Sequence, residues 1–261
     1  MTMESTASTG MQSLLQEDVK KSHWPARLDK AQSLSGAALG FFMWTHLVLV
    51  SSILISKDAM MKLSRFMELG FLKPGERHAY PIAVSAVAFG VFTLFVAHAG
   101  LAMRKFPATW KQHRIFRSHM DMMQHSDTRA WYTQVLTGFI MFFLGSVHLY
   151  VMMSRPDNIG PYESADRVWS YHFWPLYFVL LFAVELHGAI GMYRVAVKWG
   201  LFNGNDVRKT RRNLKVAKSL ITVFFLTLGL ASLAAYIKIG MEHAGRVGEP
   251  YEAVGESTAQ P

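Results

Sequence analysis

Polar and apolar positions along this chain separate into long blocks instead of alternating from turn to turn. Leu34–Ile55, Ala79–Met103 and Ala130–Ser154 contain no Asp, Glu, Lys or Arg; Val168–Tyr193 contains one, Glu185; Ser219–Ile237 again contains none. About 20 mostly apolar residues are needed for a helix to cross roughly 30 Å of hydrocarbon. Backbone in lipid must satisfy its own hydrogen bonds, so stretches of this length read as helices. The pattern therefore predicts an all-α bundle of five transmembrane spans, about 34–55, 79–103, 130–154, 168–193 and 219–237. A polar segment, 1–33, precedes this domain, and a tail, 238–261, follows it. Pro81 and Pro175 fall where the second and fourth spans begin, the one place in a helix where a missing N–H costs little.

Charge orients the bundle. The chain carries 27 Lys and Arg against 18 Asp and Glu, and 18 of the 27 lie in three places. These are the N-terminal segment (Lys20, Lys21, Arg27, Lys30), the second-to-third connection (from Arg104 to Arg129) and the fourth-to-fifth connection (from Arg194 to Lys218). By the positive-inside bias that face is cytoplasmic, with the N-terminus inside and the C-terminus outside. The N-terminal segment carries Glu4, Glu17 and Asp18 and has no apolar core, so it does not read as a cleaved signal. The net charge of +9 suits anionic lipid or an acidic soluble partner docking on the inner face. Nucleic-acid binding needs a folded basic motif, which the short connections do not supply. With no cysteine in the chain, disulfides, thiolate metal sites and cysteine-held iron–sulfur clusters are excluded.

Four of the 11 histidines lie within apolar spans: His46, His98, His148 and His187, one on each of the first four. Ionisable residues inside a membrane are expensive and usually face the bundle interior with a partner. At about 1.5 Å per residue, His46 and His148 lie roughly 18 and 26 Å from the inner ends of their helices. His98 and His187 lie roughly 7 and 9 Å from the inner face. The histidines thus group into an outer pair, His46 with His148, and an inner pair, His98 with His187. Two such pairs suit two bis-histidine haems held between helices one to four, each with both axial positions closed. A zinc, copper or non-haem iron centre is the rival metal reading, and interhelical hydrogen bonding is the plain one. A proton-coupled transporter is the non-enzymatic alternative, although the five spans show no inverted repeat.

Two carboxylates stand out. Glu185 lies inside an otherwise uncharged helix, where apolar surroundings favour the neutral acid. Two positions from His187 is about 200° around the helix, so it points away from the face His187 uses and suits proton relay better than iron ligation. Glu68 falls in the first-to-second connection among Phe66, Met67, Leu69, Phe71 and Leu72, a segment suited to the bilayer surface. By itself it reads as an ordinary loop acid.

Three ungapped stretches carry a family resemblance: HAGLAMRKFP at 98–107, MFFLGSVHLY at 141–150, and LFAVELHG at 181–188 continuing to AVKWG at 196–200. They resemble the cytochrome b subunit of dihaem respiratory fumarate reductases. More broadly, they resemble succinate:quinone oxidoreductases with one five-helix membrane subunit and two haems b. The resemblance runs from about Lys21 to Met241.

It implies that His98 and His187 hold the haem proximal to an iron–sulfur subunit, and that His46 and His148 hold the distal one. Glu68 matches a residue implicated in menaquinol oxidation, and Glu185 one on a proton route. Gln32, Ser33, Trp131, Arg167 and Lys198 match positions near haem propionates. The implied setting is a bacterial cytoplasmic membrane. An iron–sulfur subunit and a flavoprotein bearing FAD would sit on the inner face, in a dimer of heterotrimers that couples the menaquinone pool to fumarate and succinate. The same electron path serves either direction. A dihaem b anchor of a hydrogenase or formate dehydrogenase is the nearest alternative.

Overall fold

The structure, a computed structural model, describes residues 22–74, 79–106, 109–123 and 125–252. Lys20, Lys21, Glu4, Glu17 and Asp18, Pro107 of the first motif, and residues 253–261 of the tail lie outside the described residues. Eight α-helices occur among the described residues: α1 (Trp24–Val50), α2 (Lys57–Met67), α3 (Pro81–Met103), α4 (Trp110–Met123), α5 (Ser126–Ser154), α6 (Pro161–Val168), α7 (Trp174–Lys198) and α8 (Val207–His243).

Five of these helices, α1, α3, α5, α7 and α8, are long and apolar enough to cross a membrane, and the fold is an all-α bundle built on them. α3 packs against α1 and α5, and α7 packs against the other sides of the same two helices. The four therefore close a ring in which α1 faces α5 across one diagonal and α3 faces α7 across the other. α8 stands outside the ring against α7, α6 and α1. Large apolar side chains on the outer surface, such as Phe89, Phe143 and Val223, are more than half exposed, as lipid-facing positions should be.

Polar contacts explain the departures from five simple rods. α1 tightens into a 3₁₀ turn at Ser51–Leu54. The Tyr236 hydroxyl on α8 donates to the Val50 carbonyl at 3.1 Å, and the Ser232 hydroxyl donates to Ser51 Oγ at 2.9 Å. These bonds tie the break in α1 to α8. Ile53, Met60, Ala165, Val168, Tyr236 and Ile239 fill one apolar cluster there, joining α1, α2, α6 and α8.

The apolar run at Val168–Tyr193 is not one helix. α6 stops at Val168, His172 takes a positive φ of 60°, and α7 starts at Trp174 with proline in its first turn. The last span, in contrast, reaches well past its apolar core at both ends. Asp206 caps α8, its carboxylate accepting from the N–H groups of Arg208 at 2.8 Å and Lys209 at 3.0 Å. That cap adds three basic turns ahead of Ser219.

The basic end of the bundle is gathered by one carboxylate. Asp29 on α1 pairs with Lys105 at 2.9 Å and with Arg104 and Lys198 at 3.2 Å, joining the ends of α1, α3 and α7.

Candidate functional site

Each diagonal of the ring carries one histidine pair. His46 on α1 and His148 on α5 have ring centres 6.1 Å apart. His98 on α3 and His187 on α7 have ring centres 6.4 Å apart. Two imidazoles bound on opposite sides of one metal, at about 2 Å each, have centres roughly 6 Å apart. Both pairs have that spacing.

The inner pair is oriented by the neighbouring helices of the ring, α1 and α5. The Nδ1–H of His187 faces the Gln134 carbonyl of α5 at 2.8 Å. His98 Nδ1 lies 3.0 Å from Ser35 Oγ, and that hydroxyl donates onward to the Gln32 carbonyl at 3.1 Å. With its hydrogen spent on Gln32, Ser35 accepts from His98, which fixes Nδ1 as the protonated nitrogen. In both residues Nε2 is left as the electron-pair donor, as in a ligating histidine whose other ring nitrogen is held by a neighbouring acceptor.

Glycine makes the approach possible. A Cβ on Gly36 would stand 2.7 Å from His98 Cε1, and one on Gly138 would stand 3.0 Å from His187 Cε1.

The outer pair is held by packing. The Phe42 ring stacks on His46 with centres 5.9 Å apart. Tyr177 meets His148 edge-on at 5.6 Å. His148 Nδ1 is buried and has no hydrogen-bond partner among the described residues.

This donor set fits haem b. Among the described residues no three His, Asp or Glu side chains come together as a metal cluster. Zinc or non-haem iron would take three or four protein donors, whereas a porphyrin brings its own four nitrogens and asks only for two axial imidazoles.

The carboxylates differ from their appearance in the sequence. Glu68 follows α2 directly and is only 1% exposed, so it is a buried acid and not an ordinary loop one. Apolar loop composition gave no sign of this. Burial follows from α2 setting Met60, Met61 and Ser64 inward and ending in a left-handed Leu69, φ 57°. Phe66, Phe71 and Leu72 point outward and stay exposed.

Glu185 is fully buried and accepts a hydrogen bond from the Trp44 indole at 3.1 Å. Trp44 stacks on Phe225 of α8 with centres 5.6 Å apart. Glu185 therefore lies among α1, α7 and α8, outside the interior that His187 faces.

The remaining five residues divide between the two ends. Ser33 donates to the Asp29 carbonyl at 3.0 Å, and Lys198 bonds the Asp29 carboxylate. Gln32 Oε1 is buried without a partner among the described residues. Trp131, near the same end, packs edge-on against Phe116 at 4.9 Å and lies 6.2 Å from Phe106. Arg167 is at the opposite end, 5% exposed, donating to the Asn158 carbonyl at 2.7 Å. Arg167 and Lys198 thus belong to different sites.

Several participants were missed in the sequence. Ser35, the Gln134 carbonyl and Trp44 act on a neighbouring helix, where no spacing along the chain announces them. A further polar centre was also missed. His243 Nδ1 meets Asp166 Oδ1 at 2.9 Å, the Gly248 N–H donates to Asp166 Oδ2 at 2.9 Å, and Tyr162 stacks on the imidazole at 4.1 Å.

Comparison with known proteins points to one family. A family described as "Succinate dehydrogenase/Fumarate reductase transmembrane subunit" matches residues 111–228. The chain is 52% identical over 223 residues to the fumarate reductase cytochrome b subunit of Wolinella succinogenes, covering 85% of this chain and 86% of that protein. It is 49% identical over 226 residues to the protein of the same name in Helicobacter pylori, covering 86% of each. A shorter match, 31% over 98 residues, is to the succinate dehydrogenase hydrophobic membrane anchor subunit of Archaeoglobus fulgidus, covering 37% of this chain and 77% of that protein.

Proposed function

The chain belongs to the succinate dehydrogenase/fumarate reductase family as a five-span cytochrome b subunit, the membrane part of an enzyme complex, and on that premise we propose that it carries electrons from menaquinol near the outer face to an iron–sulfur subunit on the inner face, for reduction of fumarate at a separate flavoprotein. The observation that carries this reading is the pair of histidine couples on the two diagonals of the ring, at 6.1 and 6.4 Å.

In this reading His46 and His148 hold the outer haem b, and His98 and His187 the inner one. When bound, the haems would supply one-electron carriers. Ser35 and Gln134 keep His98 and His187 in the ligating tautomer. Gly36 and Gly138 let those imidazoles approach. Gln32, Ser33, Trp131 and Lys198 serve the inner propionates, and Arg167 serves the outer ones.

Glu68 accepts a proton released as the quinol is oxidised. Glu185 passes a proton inward alongside the electron. Moving one charge across the membrane potential is worth about 2.3 kcal/mol per 100 mV, which an accompanying proton offsets. The names of the two closely similar bacterial relatives favour the fumarate-reducing direction over succinate oxidation.

A reduced-minus-oxidised visible spectrum with haem quantified per chain tests the cofactor assignment. Two haems b are expected, one of them lost in His46→Ala and the other in His98→Ala. A preparation with one haem or none sinks the proposal. For the carboxylates, Glu68→Gln should abolish quinol-linked fumarate reduction while both haems stay bound and the soluble subunits keep reducing fumarate from an artificial donor. Full quinol-linked turnover in that variant removes Glu68 from the mechanism.

A further inference from the structure

The cations at the basic end of the bundle are not equivalent. Arg104, Lys105 and Lys198 share Asp29, and Lys215 is paired with Asp127 at 2.9 Å. Arg208, Arg211 and Arg212 in the first turns of α8 have no carboxylate partner among the described residues. The nearest acid in sequence, Asp206, is taken up with the backbone N–H groups of Arg208 and Lys209.

These three arginines, with Lys215, Val216, Ser219 and Leu220, line a shallow, open groove on one face of α8. Residues 208, 211, 212, 215 and 219 repeat at three and four, so they form one stripe along the helix. The stripe changes character where the membrane begins. Below the cations, Val216, Leu220, Val223 and Phe224 are each more than half exposed and continue into the span.

The geometry points to a site for one anionic glycerophospholipid. Its phosphate would lie among Arg208, Arg211 and Arg212, and its acyl chains along Val216, Leu220 and Val223. Guanidinium groups match phosphate oxygens in bidentate fashion, and basic residues beside an anionic leaflet are drawn to it. Arginines ahead of the apolar turns can lay their stems along the helix and keep their heads in the phosphate layer. An acidic soluble protein would satisfy the charges, but it gives no reason for the apolar lower half of the groove. A diacyl lipid uses both halves, and the site does not depend on the electron-transfer role proposed above.

The test is native mass spectrometry of the whole complex, purified with its soluble subunits and washed in detergent, then titrated with phosphatidylglycerol, phosphatidylcholine or inorganic phosphate. Phosphatidylglycerol should be retained at one per chain and phosphatidylcholine should not. Millimolar inorganic phosphate should fail to displace it. The triple variant Arg208→Gln/Arg211→Gln/Arg212→Gln should lose at least tenfold in retention with an unchanged haem spectrum, while Arg114→Gln/Arg117→Gln should retain lipid like the parent.

Equal retention of both lipids, or full retention in the triple variant, overturns the site. So does a triple variant that sheds the soluble subunits while keeping its lipid, since that outcome assigns the groove to a protein. Should the triple variant not assemble, the parent complex still decides the matter. Its melting temperature in nanodiscs must rise with phosphatidylglycerol content, and no rise overturns the proposal.

Discussion

Ser35 and Asp166 show how single polar side chains do different work in an apolar bundle. Ser35 stands between His98 and the Gln32 carbonyl, so its removal takes away the hydroxyl that accepts from the His98 Nδ1–H. Loss of such an outer-shell partner typically costs 10–100-fold in metal affinity. In Ser35→Ala, one of two haems should transfer to an excess of apomyoglobin about tenfold faster or more, the other at its parent rate. Equal acceleration of both would show a general loosening, and no acceleration would show that Ser35 leaves the ligand alone.

Asp166 has a structural task. It holds both His243 and the Gly248 N–H, and the tail beyond is fixed again where the Tyr251 hydroxyl donates to Asp58 at 2.8 Å. Asp166→Ala orphans the buried His243 Nδ1, at roughly 1–3 kcal/mol, and releases the Gly248 N–H, which lies in an exposed turn. A lower melting temperature and early proteolytic loss of the tail are expected; unchanged protection would show that the clasp is not needed. Burial and Asp58 push the Tyr251 phenol up to about 12. A raised value favours the neutral donor in the fold, so this bond contributes below the ordinary phenol value near 10 and is lost only as pH climbs toward 12.

Glycine lets α8 pass close against α6. A Cβ on Gly240 would stand 2.5 Å from Trp169 Cβ and 2.7 Å from the Ala165 carbonyl oxygen. Both are near or on the main chain and cannot swing away. Gly240→Val should therefore force α6 off α8 and cut the yield of assembled protein, whereas Gly90→Ala, with nothing within 4 Å of its Cβ, should not. Comparable yields from both would deny the contact its importance.

At this scale the sequence was informative about length and poor about interruption. The five apolar blocks announce five helices because lipid leaves the backbone no alternative. The break between Val168 and Trp174 stayed hidden because the residues across it, Trp-Ser-Tyr-His-Phe, are no more polar than a span margin. Counting rise per residue also sorted the histidines by depth, because the helices are long enough for a few residues of boundary error not to mix the pairs. Glu68 was not legible in the same way. Its burial depends on α2 folding back against other elements, which local composition does not encode.

For the molecule as a whole, charge asymmetry and the diagonal histidine pairs imply one vectorial arrangement. Asp29, Lys198 and the unpaired arginines of α8 lie at one end of the bundle; Arg167 and the His243 clasp lie at the other. If the basic end faces the cytoplasm, the proposed path takes electrons in beside the outer pair and out beside the inner pair, next to the face where the proposed soluble subunits would dock. An inverted chain would place the docking face in the wrong compartment and void the proposed function, however well the haems bound.

The chain has no cysteine, so one introduced thiol reports on its position without background. Asp157 and Asn203 are both exposed, in the connections after α5 and after α7 respectively. In intact cells Asp157→Cys should react with a membrane-impermeant maleimide, and Asn203→Cys should react only after the membrane is opened. The reverse pattern would turn the bundle over and reverse the path from quinol to soluble partner. Labelling of both would mean that α7 fails to cross.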